Sequence, residues 1–404
     1  MGPKYISRTI WILSFISLFT DIASEMLYPV IPVYLKEIGF SVVLIGILEG
    51  VAEAVVGLSK GYFGKLSDAS GRRVPFVQLG YALSAISRPM MVMFVYPVWI
   101  FLARSMDRLG KGIRTGARDA ILSDEATPQT KGKIFGFHRS MDTLGAVLGP
   151  SFALLYLYYN PGEYKTLFII AFIPGVLTIV GTLFLKDKKI KSSYKSKTRV
   201  SFLTSLSYWK NSSPIYRKVV IGLLAFALFN SSDIFLLLMV KQAGMSDTFV
   251  IGVYIFYNFV YALCAFPLGI IADRIGLKNI FIVGLTLFAA VYFGMATTQN
   301  LYVYLFLFFL YGIYSAATEG ISKAWISNIS KPEDTATAIG TFAGFQSICV
   351  LLASSLAGLI WYYFGATFTF LLTAMVTILV ILYFLILIQR SKHSGGIEIL
   401  KPFE

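Results

Sequence analysis

Apolar residues in this chain come in long runs parted by mostly short polar stretches, and the runs are 19 to 28 residues long. A hydrocarbon layer about 30 Å thick takes about 20 residues of helix to cross. Runs of that size predict membrane spans at 9–35, 42–64, 75–95, 97–118, 132–158, 165–185, 218–241, 248–271, 279–297, 301–327, 335–362 and 366–388. Stretches such as 281–293 and 370–388 are continuous, without the alternating pattern of a transmembrane β-strand. The first run carries Asp21 and Glu25 and continues to Pro32, too long and too polar for a cleaved leader, so it is expected to stay as a span. The pattern predicts an all-α polytopic membrane protein with twelve transmembrane helices.

Composition agrees. Apolar residues make up 56% of the 404 and charged residues only 14%, against about 25% charged in soluble domains. Cys264 and Cys349 both fall inside predicted spans with no ligand spacing, and the chain has two histidines, so no metal site is expected.

The net charge of +14 is unevenly placed. Between spans six and seven lie Lys186, Lys188, Lys189, Lys191, Lys195, Lys197, Arg199, Lys210, Arg217 and Lys218 against one acid, Asp187. The loops at 65–74 and 272–278 add Lys65, Arg72, Arg73, Arg274 and Lys278, whereas the opposite loops hold few bases, notably Lys36, Lys165 and Lys241. The positive-inside rule then puts both termini and the central linker in the cytoplasm of a cell-membrane protein. Bases that flank helix ends speak for topology and against a nucleic-acid partner. The Ser- and Lys-rich linker, 187–216, parts a six-helix bundle at 1–186 from a second at 217–404.

The halves repeat. Gly64, Asp68 and Gly71, in the loop after span two, recur as Gly269, Asp273 and Gly276 after span eight, at an offset of 205. Pro128 and Gly136 recur as Pro332 and Gly340 at an offset of 204. The run from Gly64 through Asp68 and Gly71 to Arg72 and Arg73, with its degraded second copy, resembles the loop motif of the major facilitator superfamily of secondary transporters. The resemblance covers the whole chain and implies two pseudo-symmetric bundles, a central substrate site and rocking-type alternating access. It also implies that Gly64, Asp68, Gly71, Arg72 and Arg73, with Asp273, Arg274 and Gly276, gate the cytoplasmic side. Asp68 suits a helix N-terminus, where negative charge is favoured, and the arginines suit carboxylates at helix ends. Ala69 stands where the family usually has arginine, which Arg274 supplies in the second copy.

Charges inside a membrane are costly and mark function. They sit mainly in spans one, two, four, five, seven and ten, which fits the family's plan: spans one, four, seven and ten line the cavity, and two, five, eight and eleven form the junction. Arg88 in span three is the exception. At about 100° per residue, Arg104, Asp107, Arg108, Lys111, Arg114 and Arg118 of span four fall within an arc of about 120°. Such a stripe either lines an aqueous path or meets acids elsewhere, with Glu49, Glu53 and Asp142 available. Arg108 to Gly112 resembles the superfamily's R-x-x-Q-G element, with Lys111 in place of Gln, and in relatives that arginine is linked to proton transfer. Asp21 and Glu25 share a face of span one, and His138 and Asp142 a face of span five. Asp21, Glu25, Arg108 and Asp142 are the expected proton-coupling residues, Asp21 foremost. Arg104, Asp107, Lys111, His138, Arg139, Asp233 and Glu319 are expected in the substrate cavity, with a Glu319–Lys323 pair at i,i+4.

Pro29 to Pro32 resembles the P-V-x-P element of the twelve-span drug:proton antiporters, and Gly145 to Pro150 part of the exporters' G-x-x-x-G-P element. The resemblance implies a proton-coupled exporter of drugs or small metabolites, working as a monomer in the lipid bilayer. The alternatives are proton-coupled transport of an organic anion or nutrient, for which the basic stripe speaks, and a non-transporting sensor. The chain has no phosphate-binding loop and no nucleophile triad, so an enzyme is not expected. The energy source is then a proton gradient, with no cofactor.

Overall fold

The computed structural model describes residues 6–187, 202–245, 247–298 and 300–393 and is helical almost throughout. The linker bases Lys188, Lys189, Lys191, Lys195, Lys197 and Arg199 lie outside the described residues, as does the side chain of Glu53. Twelve crossings are present, as the runs predict, but two of them are broken. Span one is α1 (Arg8–Leu27) followed by α2 (Ile31–Glu37). Then come α3 (Val42–Ser70), α4 (Val74–Met93), α5 (Pro97–Asp124), α6 (Lys131–Tyr159) and α7 (Tyr164–Leu183). A short helix in the linker stretch, α8 (Phe202–Asn211), precedes span seven, which is itself α9 (Pro214–Ala227) and α10 (Ile234–Gln242). The last crossings are α11 (Asp247–Ile275), α12 (Leu277–Thr297), α13 (Leu301–Ile329) and α14 (Thr335–His393), which Gly365 divides into spans eleven and twelve at φ +84°.

Local chemistry sets these ends. Ser7, Ser41 and Ser213 accept, through their side chains, a backbone N–H from the first turns of α1, α3 and α9. Gly71 ends α3 in the left-handed region, φ +65°, which suits a residue with no Cβ. Outward faces carry large apolar side chains such as Val98, Leu263 and Met375, each more than half exposed, as lipid-facing residues should be. By length and apolarity, seven segments among the described residues could cross a membrane unaided. α5 is not one of them, because its charges offset its apolar face.

In the first half α1 packs on α6 and α7, and α4 on α5 and α7. In the second α13 packs on α11 and α12, and α14 on α9 and α12. The halves meet chiefly along α3 against α14 and α6 against α11, the junction helices that the resemblance implies. The approach there is backbone to backbone. A Cβ on Gly64 would lie 2.5 Å from the Ala336 carbonyl oxygen, and one on Gly136 would lie 2.5 Å from that of Ala265. Gly136→Val should therefore wedge this end open at a cost of about 1–3 kcal/mol. Faster alkylation of cysteines placed at the seam would show it, and an unchanged rate would count against the tight seam.

Candidate functional site

Between the halves lies a cavity of about 540 Å³. The first half supplies its ionic wall, the second an aromatic one. Asp21 and Glu25 of α1, Arg104, Asp107, Arg108 and Lys111 of α5, and Arg139 and Asp142 of α6 all line it, with Asp233 and Glu319 facing them from the other half. His138 does not. It is buried nearer the basic end, in a small space with Arg118, Asp119, Glu319 and Lys323, and neither ring nitrogen has a partner. Helical periodicity puts it on the face of Asp142, but His138 lies one turn before Asp142 on α6, toward the basic end, and is not among the residues that line the cavity.

The ionic wall is tightly paired. Arg104 donates through Nε and Nη2 to the two oxygens of Glu49, at 2.9 and 2.8 Å. This is the fork-to-fork geometry that guanidinium and carboxylate favour. Arg108 lies 3.8 Å from Glu49 and 4.0 Å from Asp107. Asp142 accepts from Arg139 at 2.7 Å and from the Ser17 hydroxyl. Arg139 also reaches Tyr261 and, 3.9 Å away, Glu319 of the second half. Asp21 differs from all of these: among the described residues it makes no hydrogen bond or ion pair, though it lines the cavity. Arg104→Glu should cost about tenfold in transport, roughly 1.4 kcal/mol, and Glu49→Arg in the same chain should restore most of it. Failure of the swap to rescue would mean that Arg104 serves substrate and not Glu49.

The second half contributes residues that sequence reasoning did not assign. Tyr254, Tyr257 and Tyr261 of α11 and Tyr311 and Tyr314 of α13 form the aromatic wall. Their spacings of three and four residues put each set on one helical face, a signal present in the sequence. Span seven is interrupted beside them: Asn230 donates to the Tyr314 hydroxyl at 3.0 Å, and Asp233 accepts from Tyr257. The expected Glu319–Lys323 pair is replaced by a longer-range one. Lys323 instead reaches Asp119 of α5 at 2.9 Å, and Asp119, wholly buried, also holds Arg118 at 2.8 Å.

Below the cavity, at the end that carries the basic loops, the halves are bolted together twice. Asp68 accepts from the backbone N–H of Ala336 at 3.4 Å and of Thr337 at 2.6 Å, the first turn of α14. Asp273 accepts from the N–H of Gly132 and Lys133, both at 2.7 Å, the first turn of α6. Each acid meets the positive end of a helix in the opposite half. Arg73 steadies the first bolt, donating to Asp124 at 2.6 Å, to Asp68 at 3.4 Å and to the Pro332 carbonyl at 3.2 Å. Two expected gating residues take no part. Arg72, just past the end of α3, and Arg274, in the last turn of α11, are exposed, with no carboxylate contact among the described residues. Gly71 and Gly276, both at positive φ, shape the turns beside them.

Comparison with known proteins accounts for this architecture. The family model described as Major Facilitator Superfamily matches residues 13–260 and 237–399. An uncharacterised MFS-type transporter of Methanocaldococcus jannaschii is 32% identical over 366 residues, covering 89% of this chain and 90% of its own. The quinolone resistance protein NorA of Staphylococcus aureus is 22% identical over 224 residues, 54% of this chain and 57% of its own. Among solved structures, the human organic anion transporter MFSD10 superposes with a TM-score of 0.76 at 17% identity, over 93% of this chain and 99% of that one. The family model spans both halves and the archaeal relative most of the chain, and this chain belongs to the Major Facilitator Superfamily of transporters.

Proposed function

We propose that the chain is a proton-coupled secondary transporter that moves a small polar metabolite by alternating access, and that its structure is the outward-facing state. Asp21 carries the coupling part of this reading. It is a carboxylate on the cavity wall with no bonded partner, and the charges facing it are Asp142, Glu25, Lys111 and Arg139. An acid so placed can exchange a proton with the cavity while Asp142 and Arg139 stay locked in their ion pair.

The conformational part rests on the bolts. Contacts through Asp68, Asp273 and the Asp119–Lys323 pair gather at the basic end, which the positive-inside rule assigns to the cytoplasm together with both termini. Transport then requires these contacts to break and an opposite seal to form. The relation to a quinolone resistance protein supports export as the direction. Nine cationic and six acidic side chains on the wall suit a polar metabolite better than a lipophilic drug. That excess of cations, with the superposition on an organic anion transporter, supports an anion as the second reading.

Proteoliposomes with an imposed pH gradient test the coupling. Flux through the wild type should respond to the gradient, and flux through Asp21→Asn should not. If both respond alike, Asp21 is not the coupling acid. If neither does, the driving ion is not the proton.

A further inference from the structure

Arg88 is the one intramembrane charge that the family plan leaves unexplained, since it belongs to α4, a peripheral helix. Its burial is nearly complete, at 4% exposure, and so is that of Arg114 on α5, at 6%. Both line the cavity. Arg88 donates through Nη2 to the Ser24 hydroxyl at 3.2 Å and to the Thr20 carbonyl at 3.4 Å. Arg114 donates through Nη1 to the Ser84 hydroxyl at 2.6 Å and lies over the Tyr81 ring, 4.5 Å from its centroid. All these acceptors are neutral. Neither arginine forms an ion pair among the described residues.

The fold makes deliberate room for both. Gly80 and Gly110 bring α4 and α5 into backbone contact, since a Cβ on either would lie 2.6 or 2.5 Å from the other's carbonyl oxygen. That approach sets Arg114 against Ser84, one turn from Arg88 on the same face of α4. On the far side, a Cβ on Gly175 of α7 would lie 2.6 Å from Arg88 Nη1. The carboxylates whose fields reach both arginines are Asp107 and Asp21. Asp107 is engaged by Arg104, at 3.6 Å, and by Arg108. Asp21 bonds neither.

Two buried guanidinium groups in mutual repulsion, with no protein anion in contact, form an electrostatically incomplete site. We propose that Arg88 and Arg114, both lining the cavity, form a subsite for an anionic group of the transported solute, a carboxylate or a phosphate, held by their guanidinium N–H donors. The planar guanidinium suits either group, and the tyrosine wall opposite would take the remainder of the molecule. This subsite deepens the second reading above and rests on the cavity being the transport path.

Thermal unfolding of the purified, detergent-solubilised full chain tests it, with succinate, inorganic phosphate and uncharged succinamide as probes at matched ionic strength. Succinate or phosphate should raise the Tm of the wild type and succinamide should not, and the more stabilising anion identifies the group. Arg88→Gln and Arg114→Gln should each weaken that stabilisation at least about tenfold in half-saturating concentration. If the glutamine variants do not fold, Arg88→Lys and Arg114→Lys keep the charge and lose the fork, and a weakening of about threefold or more is expected. No anion effect on the wild type, an equal effect of succinamide, or unchanged half-saturation in the variants would overturn the subsite. The measurement uses no pH gradient, so it stands or falls apart from proton coupling.

Discussion

Replacing Asp119 with alanine should cost the folded protein about 3–5 kcal/mol, the usual penalty for stranding the partners of a buried charge. Asp119 is wholly buried and holds Arg118 and Lys323, so its loss leaves two cations without their counter-ion. The penalty falls unequally on the transport cycle. Lys323 belongs to α13 and Asp119 to α5, so the pair joins the two halves, and on the proposed alternating-access cycle its removal should also shift the population toward the inward-facing state. Thermal unfolding and the alkylation rate of a seam cysteine, measured together, separate the two effects. A Tm within about 1 °C of the wild type, with unchanged alkylation, would mean that the pair contributes nothing.

The second large effect is expected from Asp68→Asn combined with Asp273→Asn. Each acid accepts two helix N-terminal N–H bonds across the halves, and a hydrogen bond to a charged group contributes about 1.5–3 kcal/mol. Asparagine retains one acceptor oxygen and no charge. Losing both bolts should therefore tilt the equilibrium toward opening at the basic end by a hundredfold or more, with each single variant going about half-way in free energy. Transport should fall although the protein still inserts. Kinetics equal to the wild type in reconstituted vesicles would show that the bolts do not govern the rate.

Much of this was legible in the sequence, for identifiable reasons. Span positions follow from the apolar runs, and the stripe on α5 follows from periodicity. The Arg104 partner, Glu49, was among the acids available to it. Asp68 at a helix N-terminus was expected from its charge, and the structure supplies which helix. The breaks in spans one and seven were not read. Pro29 and Pro32 hinted at the first, but the second falls at Asn230–Asp233, polar residues without glycine or proline. Asp119 escaped because it lies about 20° beyond the arc of the basic stripe, where periodicity no longer flags it. His138 and the Glu319–Lys323 pair failed for a common reason. A helical wheel fixes direction around an axis, but depth along it and the identity of the neighbour come only from packing.

The two bolts have a further consequence. Asp68 meets Ala336 and Thr337, and Asp273 meets Gly132 and Lys133, residues that correspond at the repeat offset of 204. Patch i of one half touches patch j of the other, and j touches i, which is the signature of an isologous contact about a two-fold axis. The closed end is therefore built as a homodimer interface would be, with the linker serving as a tether that keeps the partners at high effective concentration. An interface of that kind gives two clasps for one chemical solution. It also leaves each copy free to diverge where it does not clasp, one into an ionic wall and the other into an aromatic one.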